Sequence, residues 1–326
     1  MKAKIEDMYP LSPMQQGLLF HSLLAPGSGI YVPQICLALS GPIESTVLKT
    51  AWERALMRHT ILRTGFQWEQ RDEPFQVVYR ESELSWVEQD WSNTQADEQA
   101  IKLQNFLAAN RSMPFNLHRP PLMRITLIRR TESSHYLILC HHHLIMDGWS
   151  AGLLLQETLL DYVRTIQDPD TTRRLPGVQS RYADFIRWLK DQDPVQSKSF
   201  WETRLEGIQT HSVIPPNASA HVSRIPEMKE TTFSLTEDES LHVRQFTKNH
   251  GLTLNNLLLG SLGIVFSRYT DNPEVTLGTT VSGRPPTLPD AMSMIGLLIN
   301  TIPVRMAVSQ NQSILSWLKN IQQDQS

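Results

Sequence analysis

Tyr-Leu-Ile-Leu-Cys-His-His-His-Leu-Ile-Met-Asp-Gly-Trp-Ser, residues 136–150, is the stretch that decides the fold. It begins with an apolar run of strand character, passes through three histidines and an Asp-Gly turn signal, and continues into a leucine-rich segment with helical spacing. The pattern predicts a strand, a loop and a helix in succession. Because side chains alternate along a strand, His141 and His143 should face one way and His142 the other, so the three do not share one role.

His143 is the candidate base. An imidazole with an ordinary pKa of ~6.5 can take or hold the proton that an amine loses when it attacks a thioester. Asp147, four residues further on at the turn, is expected to organise the loop rather than to accept a second proton. Gly148 opens the following helix, where unpaired backbone N–H groups could stabilise an oxyanion and the missing side chain would let substrate approach closely.

Other roles for these histidines are open at this point. A histidine near an apolar strand is often a hydrogen-bonded structural residue. A cluster of three also suggests zinc, but the sequence has no His-Glu-x-x-His and no Cys-x-x-Cys, so no metal is expected. A serine or cysteine nucleophile is unsupported, because there is no Gly-x-Ser-x-Gly motif and Cys140 lies in the strand.

The composition is that of an ordinary globular protein. The chain has 326 residues, 40% of them hydrophobic, and a formal net charge of -3, which argues against capture of nucleic acid. The charged N-terminus lacks the apolar region of a secretory signal, and the longest apolar stretch, 254–266, is interrupted by polar residues and glycines. Together with only two cysteines, these features predict a cytoplasmic protein without a membrane association.

Periodicity predicts alternating helices and strands in two lobes. A Ser-Pro pair predicts a helix start at residue 12, and residues 61–68 and 75–79 are predicted to form a hairpin. The remaining elements are helices near 45–59, 94–110, 148–163, 182–188, 236–251, 254–268 and from 313, and strands near 34–39, 121–128, 274–281 and 299–308. The polar, proline-containing stretch 167–180 predicts a boundary, with the N-terminal lobe at 1–175 and the C-terminal lobe at 176–326.

Five motifs make the whole chain resemble the condensation domains of nonribosomal peptide synthetases, which belong to the chloramphenicol acetyltransferase superfamily. The central motif, His-His-x-x-x-Asp-Gly, stands at residues 142–148 and continues into Trp149 and Ser150. The other four occur in the family's order: Ser-Pro-Met-Gln-Gln-Gly-Leu-Leu-Phe at 12–20, Arg-His-Thr-Ile-Leu-Arg-Thr-Gly-Phe at 58–66, Tyr-Ala-Asp-Phe-Ile-Arg-Trp at 182–188, and Ile-Gly-Leu-Leu-Ile-Asn-Thr-Ile-Pro-Val-Arg at 295–305.

The resemblance implies an α/β fold, an α+β sandwich with two chloramphenicol acetyltransferase-like lobes in a V and a tunnel between them. It implies an acyltransferase that forms the peptide (amide) bond in secondary metabolite biosynthesis. The acceptor amine would attack the donor carbonyl, with both substrates delivered as phosphopantetheine thioesters by donor and acceptor carrier proteins. No cofactor would be bound directly, and an adenylation domain is the expected neighbour.

The resemblance also assigns roles to residues. His143 would be the catalytic or amine-positioning histidine, Asp147 a structural carboxylate paired with an arginine, and Gly148 a backbone contact to the intermediate. Arg63 is the expected partner of Asp147, with Arg305 second. The remaining supporting residues are His142, which would support the loop, Trp149 and Ser150, and Asn300, which would face the tunnel or bond to local backbone.

Two alternatives accompany this interpretation. Family domains continue beyond the motif at 295–305, so the C-terminal lobe is expected to be truncated, and a truncated domain could be a catalytically silent module that docks carrier proteins. Epimerisation domains share the central motif and are the other alternative. The signature of plant-type acyltransferases, Asp-Phe-Gly-Trp-Gly, and the Asp-containing motif of heterocyclising relatives are both absent.

Overall fold

The computed structural model describes residues 5–70, 72–168, 180–208, 231–309 and 311–325. The chain packs as two compact units, the first made of Met1–Gln192 and Ser282–Ile299 and the second of Asp193–Val281 and Asn300–Ser326. The boundary predicted between residues 175 and 176 lies outside the described residues. The segment Ser282–Ile299 packs with the first unit although it comes late in the sequence, and this segment reaches the predicted active-site loop.

The described part of the first unit contains two sheets. Its strands are β1 (Ile5–Pro10), β2 (Gln34–Ser40), β3 (Thr64–Gln67), β4 (Phe75–Tyr79), β5 (Trp86–Asp90), β6 (Met123–Thr131) and β7 (Ser134–His141). Its helices are α1 (Pro13–Leu24), α2 (Ser45–Arg58), α3 (Ala96–Ser112), α4 (Gly148–Gln167) and α5 (Tyr182–Lys190), with a 3-10 helix at Thr60–Arg63.

The strand β7 lies inside the larger sheet, which has the order β2-β7-β6-β5. It pairs antiparallel with β2 and β6, so that Leu137 lies opposite both Leu37 and Leu127. Leu137 and Leu139 belong to the main core with residues of α2 and α4, whereas Ile138 belongs to a smaller cluster on the other face. This alternation confirms the predicted strand and brings its end, His141, to the edge of the main core.

The smaller sheet has the order β1-β4-β3. The predicted hairpin is confirmed for β3 and β4, which pair antiparallel. The prediction that its first strand begins at residue 61 is wrong, because Thr60–Arg63 form a 3-10 helix. The Arg63 guanidinium bonds to the carbonyls of Leu56 and Met57 at the end of α2, which satisfies acceptors that a helix C-terminus leaves unpaired.

The second unit has its own core. Its elements are α6 (Pro194–Arg204), α7 (Glu237–His250), α8 (Leu254–Thr270), β8 (Glu274–Val281), β9 (Asn300–Ala307) and α9 (Ile314–Asp324). The strands β8 and β9 pair antiparallel. Thr236 caps α7 in a capping box with Glu239, and Gly251 ends it in the left-handed conformation, which confirms the helix predicted near 236–251. No helix in the described part of the chain is long and apolar enough to cross a membrane.

The Gly283→Ala variant tests whether the backbone of residues 282–299 follows the path described here. Gly283 has a φ of +58°, and a Cβ at this position would lie 1.6 Å from the carbonyl oxygen of Leu298. We expect Gly283→Ala to lower the free energy of unfolding by at least about 3 kcal/mol, since both conformation and space exclude a side chain.

The matched control is Gly152→Ala in α4, where no atom lies within 4 Å of the added Cβ. Alanine there should raise stability by up to about 1 kcal/mol through its helix propensity. Urea unfolding followed by tryptophan fluorescence measures both. Similar losses in the two variants would contradict the path described for residues 282–299.

Candidate active site

The loop between β7 and α4 is held by main-chain hydrogen bonds to three other segments. The N–H of His142 donates to the carbonyl of Leu122 at 2.8 Å, and the N–H of His143 donates to that of Tyr31 at 2.8 Å. The N–H of Asp147 donates to the carbonyl of Gly296 at 3.1 Å. The predicted strand-loop-helix order is therefore confirmed, and the loop is fixed on several sides.

Asp147 is completely buried and uses both carboxylate oxygens. Oδ1 accepts the N–H of Ser150 at 2.7 Å, which caps α4, and Oδ2 accepts the N–H groups of Leu298 at 3.0 Å and Ile299 at 3.2 Å. An ion pair with the Arg284 guanidinium, 3.4 Å away, neutralises the charge. These contacts join the loop to the segment 282–299.

The arginine that pairs with Asp147 is Arg284, not Arg63 or Arg305. Arg284 also donates to Ser150 Oγ at 2.8 Å and to the carbonyls of Met294, at 2.9 Å, and Ala291. Burial lowers the pKa of Arg284, an effect that Asp147 opposes. The sequence signal for Arg284 was weak, because it lies in a proline-rich loop outside the quoted motifs.

The two arginines predicted from the resemblance have other partners. Arg63 bonds to Glu6 at 2.9 Å and to the carbonyl of Tyr79, because its place after α2 directs it there. In the second unit, Arg305 bonds to the two oxygens of Glu274 at 2.8 and 3.0 Å across the β8–β9 pair. Both predictions of an Asp147 partner are corrected by these contacts.

The other supporting residues occupy distinct places. Ser150 Oγ donates to the carbonyl of Gly296 at 2.7 Å and accepts its N–H at 3.1 Å. The half-exposed Trp149 donates from Nε1 to the carbonyl of Met292 at 3.0 Å. Asn300, exposed at the start of β9 in the second unit, accepts the N–H of Thr301 at 2.8 Å. This last contact is the local backbone bond considered for Asn300 in the sequence.

The three histidines have different surroundings. His141 is buried, and burial lowers its pKa to about 3, an effect that the Met146 backbone opposes. His142 is also buried, which lowers its pKa to about 4, and its Nδ1 accepts the N–H of Leu144 at 3.2 Å. The ring of His143 is partly exposed and lies 6.5 Å from that of His141. At neutral pH the two buried rings are uncharged.

Gln15, which sequence reasoning did not single out by itself, also holds the loop. It is fully buried in α1, and its Nε2 donates to the carbonyl of Leu144 at 2.9 Å, one residue after His143. Its Oε1 accepts the N–H of Ser12 at 3.0 Å and Nε2 of Gln76 at 3.0 Å. The predicted Ser-Pro helix start therefore also positions the histidine loop.

The helix N-terminus beside this loop is open. Gly148 is the first residue of α4, is exposed, and has no atom within 4 Å of the position that a Cβ would take. The first N–H groups of a helix have no partner within the helix, so they remain able to bind an anion. Within the described residues, no group of three or more His, Cys, Asp or Glu side chains has a metal-binding arrangement.

The buried ion pair gives a stability prediction. Arg284→Met removes the only charge paired with Asp147 in the described contacts, and we expect a loss of about 3–5 kcal/mol in the free energy of unfolding. The matched control is Arg305→Met, whose partner Glu274 is half-exposed and for which a loss of about 1 kcal/mol or less is expected. Urea unfolding checks both values, and equal losses would contradict the assignment of Arg284.

The buried histidines give a pH prediction. Their folded pKa values lie below the unfolded value of about 6.5, so the unfolded chain binds more protons and stability falls as pH falls below 6.5. For each ring the loss reaches about 2 kcal/mol at pH 5. Because methionine is apolar and adapts to an irregular buried space, His141→Met should fold and should show a shallower decline. Unfolding free energies between pH 8 and 5 test this, and an unchanged slope would refute it.

Comparisons with known proteins agree with these features. The family model described as "Condensation domain" matches residues 5–326. A linear gramicidin synthase protein of Brevibacillus parabrevis is 36% identical over 99% of this chain, which covers 6% of that protein. Bacitracin synthase 1 of Bacillus licheniformis is 31% identical over 98% of this chain, which again covers 6% of the relative. The chain thus spans a small part of the length of these relatives.

Solved structures share the fold. The first condensation domain of the calcium-dependent antibiotic synthetase, in complex with a substrate analogue, has a TM-score of 0.79 at 17% identity, with coverage of 98% of this chain and 74% of that chain. The four-domain nonribosomal peptide synthetase holo-AB3403 has a TM-score of 0.81 at 19% identity, with coverage of 100% and 24%. The predicted α/β condensation-domain fold is confirmed. The chain belongs to the condensation domain family, the amide-bond-forming acyltransferases of nonribosomal peptide synthetases.

Proposed function

We propose that this chain joins a carrier-bound acyl donor to a carrier-bound aminoacyl acceptor, with His143 as the base. Family membership supports the reaction class. The observation that supports His143 is its partly exposed ring at the end of a loop whose other polar side chains, His142, Asp147 and Ser150, are buried and hydrogen-bonded. Of the three histidines, His143 is the one that is not buried.

In the proposed step, the acceptor amine attacks the carbonyl carbon of the donor thioester. The C–N bond forms, the C–S bond breaks, and the thiol of the donor's phosphopantetheine arm leaves. His143 accepts the proton lost by the amine nitrogen and returns it to the leaving sulfur. Its Nδ1 is buried, so Nε2 is the nitrogen assigned to this transfer.

The oxyanion of the tetrahedral intermediate is assigned to the N-terminus of α4. The exposed Gly148 leaves open space there, and the positive end of the helix dipole favours negative charge. At this end of α4 the Asp147 carboxylate accepts the N–H of Ser150, so the N–H groups of Gly148 and Trp149 are the ones assigned to the oxyanion. In this proposal Asp147 and Ser150 hold the loop, whereas His143 and the backbone of Gly148 meet the substrate.

The proposed partners are donor and acceptor carrier proteins, which present their substrates on phosphopantetheine, and a neighbouring adenylation domain. The two synthases from Brevibacillus and Bacillus are much longer than this chain, which supports partners in such an assembly. A cytoplasmic location remains a prediction. The comparisons do not favour the docking-only or epimerisation alternatives, since the matching family and the first solved domain are condensation domains.

Replacing His143 tests the proposed base. His143→Ala should lower the single-turnover rate of amide formation between two loaded carrier proteins by about 10²–10⁴-fold, the range typical for loss of a general base. The control is His242→Ala, an exposed residue of α7 in the second unit, which should keep the wild-type rate. Equal rates for wild type and His143→Ala would refute the role of His143, whereas no turnover by wild type would refute the reaction itself.

A further inference from the structure

A cavity of about 280 Å³ lies in the first unit beside the histidine loop. Its walls come from the end of α1 and the following residues 25–32, from the end of α3 and the residues after it up to 118, and from single residues elsewhere. Leu23, Val32, Trp68, Phe115 and His142 are among the lining residues. The cavity is therefore built from parts of the chain that the proposed chemical step does not use directly.

The cavity adjoins the proposed base through two residues. His142, which precedes His143, lines it with its ring. Tyr31, another lining residue, accepts the main-chain N–H of His143 at 2.8 Å. A group bound in the cavity would thus lie next to the backbone that carries the base.

Several polar groups of the wall already have partners. Nε2 of His142 lies 3.4 Å from Ser22 Oγ, which donates to the carbonyl of Leu18 at 2.7 Å. Arg111 donates from Nε to Gln34 at 3.2 Å. Among the described residues, none of the buried polar side-chain atoms that lack a partner belongs to a lining residue. The wall offers no unsatisfied buried group that would favour a charged or strongly polar ligand.

Aromatic and aliphatic surfaces form the remainder of the wall. The rings of Trp68 and His118 stack at 4.1 Å, and Phe115 meets His142 edge-on at 6.3 Å. Burial keeps His142 neutral at pH 7 by lowering its pKa. Such a surface favours uncharged apolar groups because it removes their surface from water without burying an unpaired charge.

We propose that this cavity receives an uncharged, apolar side chain of one of the two aminoacyl substrates and selects it by size. The inference rests on the proposed function, because that function supplies the substrates. The volume of about 280 Å³ lies near the lower end of ~300–1,000 Å³, the usual range of ligand pockets, and suits one side chain rather than a peptide.

Two variants change the size of the cavity in opposite directions. Ala25→Phe adds bulk at a half-buried lining residue, and Leu23→Ala removes it at an exposed one. The control is Ala100→Phe, on an exposed part of α3 outside the cavity. The substrates are carrier proteins loaded with glycine, alanine, leucine or phenylalanine. In the first arm the acceptor amino acid is varied and the donor is always glycyl. In the second arm the donor is varied and the acceptor is always glycyl.

In one arm, Ala25→Phe should lower kcat/KM for leucine and phenylalanine by about tenfold or more while the value for glycine stays the same. Leu23→Ala should shift the preference towards the larger side chain, and Ala100→Phe should match wild type. The arm that shows these changes identifies the substrate that uses the cavity. The same size preference for wild type and both cavity variants in both arms would overturn the proposal.

A binding measurement separates this inference from the proposed function. Saturation-transfer NMR with the N-acetylcysteamine thioester of leucine should detect binding to wild type and to Ala100→Phe, and weaker binding to Ala25→Phe. If this binding pattern is found but no condensation occurs, the proposed function is refuted and the assignment of the cavity as a side-chain site is kept. Equal binding to wild type and Ala25→Phe, in folded protein, would overturn the cavity assignment whether or not condensation occurs.

Discussion

The contact between Asp147 and Arg284 constrains the rest of the active-site loop. Both side chains are fully buried, and moving such charges out of water costs several kcal/mol per ion unless the pair is well hydrogen-bonded. The amides of Leu298 and Ile299 and the carbonyl of Met294 supply those bonds, so the segment 282–299 must follow the loop closely. Close packing explains its glycines as well, because a Cβ on Gly296 would lie 2.2 Å from the ring of Tyr182.

Three adjacent histidines differ because of their surroundings rather than their chemistry. Burial holds His141 and His142 neutral, whereas the partly exposed ring of His143 can meet a substrate. Asp147 is occupied by Arg284 and by backbone amides, so it is not available to orient His143 in the way that a carboxylate orients the histidine of a catalytic triad. The position of His143 depends instead on the bond of its own N–H to the carbonyl of Tyr31 and on the bond from the Gln15 side chain to the carbonyl of Leu144.

Sequence patterns predicted the helices and strands whose faces and ends depend on residues close by in the chain. Alternation predicted β7, the Ser-Pro pair predicted the start of α1, and the Asp-Gly turn placed the start of α4. The short strands Ile5–Pro10 and Trp86–Asp90 were missed because their outer faces are exposed and their apolar pattern is weak. Arg284 was missed for a different reason: it pairs with a residue 137 positions away, and that proximity arises only from tertiary packing.

Around His143, main-chain groups hold the loop and side chains shape the neighbouring cavity. The bonds that hold the loop use backbone groups of Tyr31, Leu144 and Gly296, which exist whatever the side chains of those residues are. The cavity wall, by contrast, is formed by side chains such as Leu23 and Phe115. Substitutions in the wall can therefore alter the shape of the cavity without removing the bonds that place His143. This separation would let the shape of the cavity change while the position of His143 is retained.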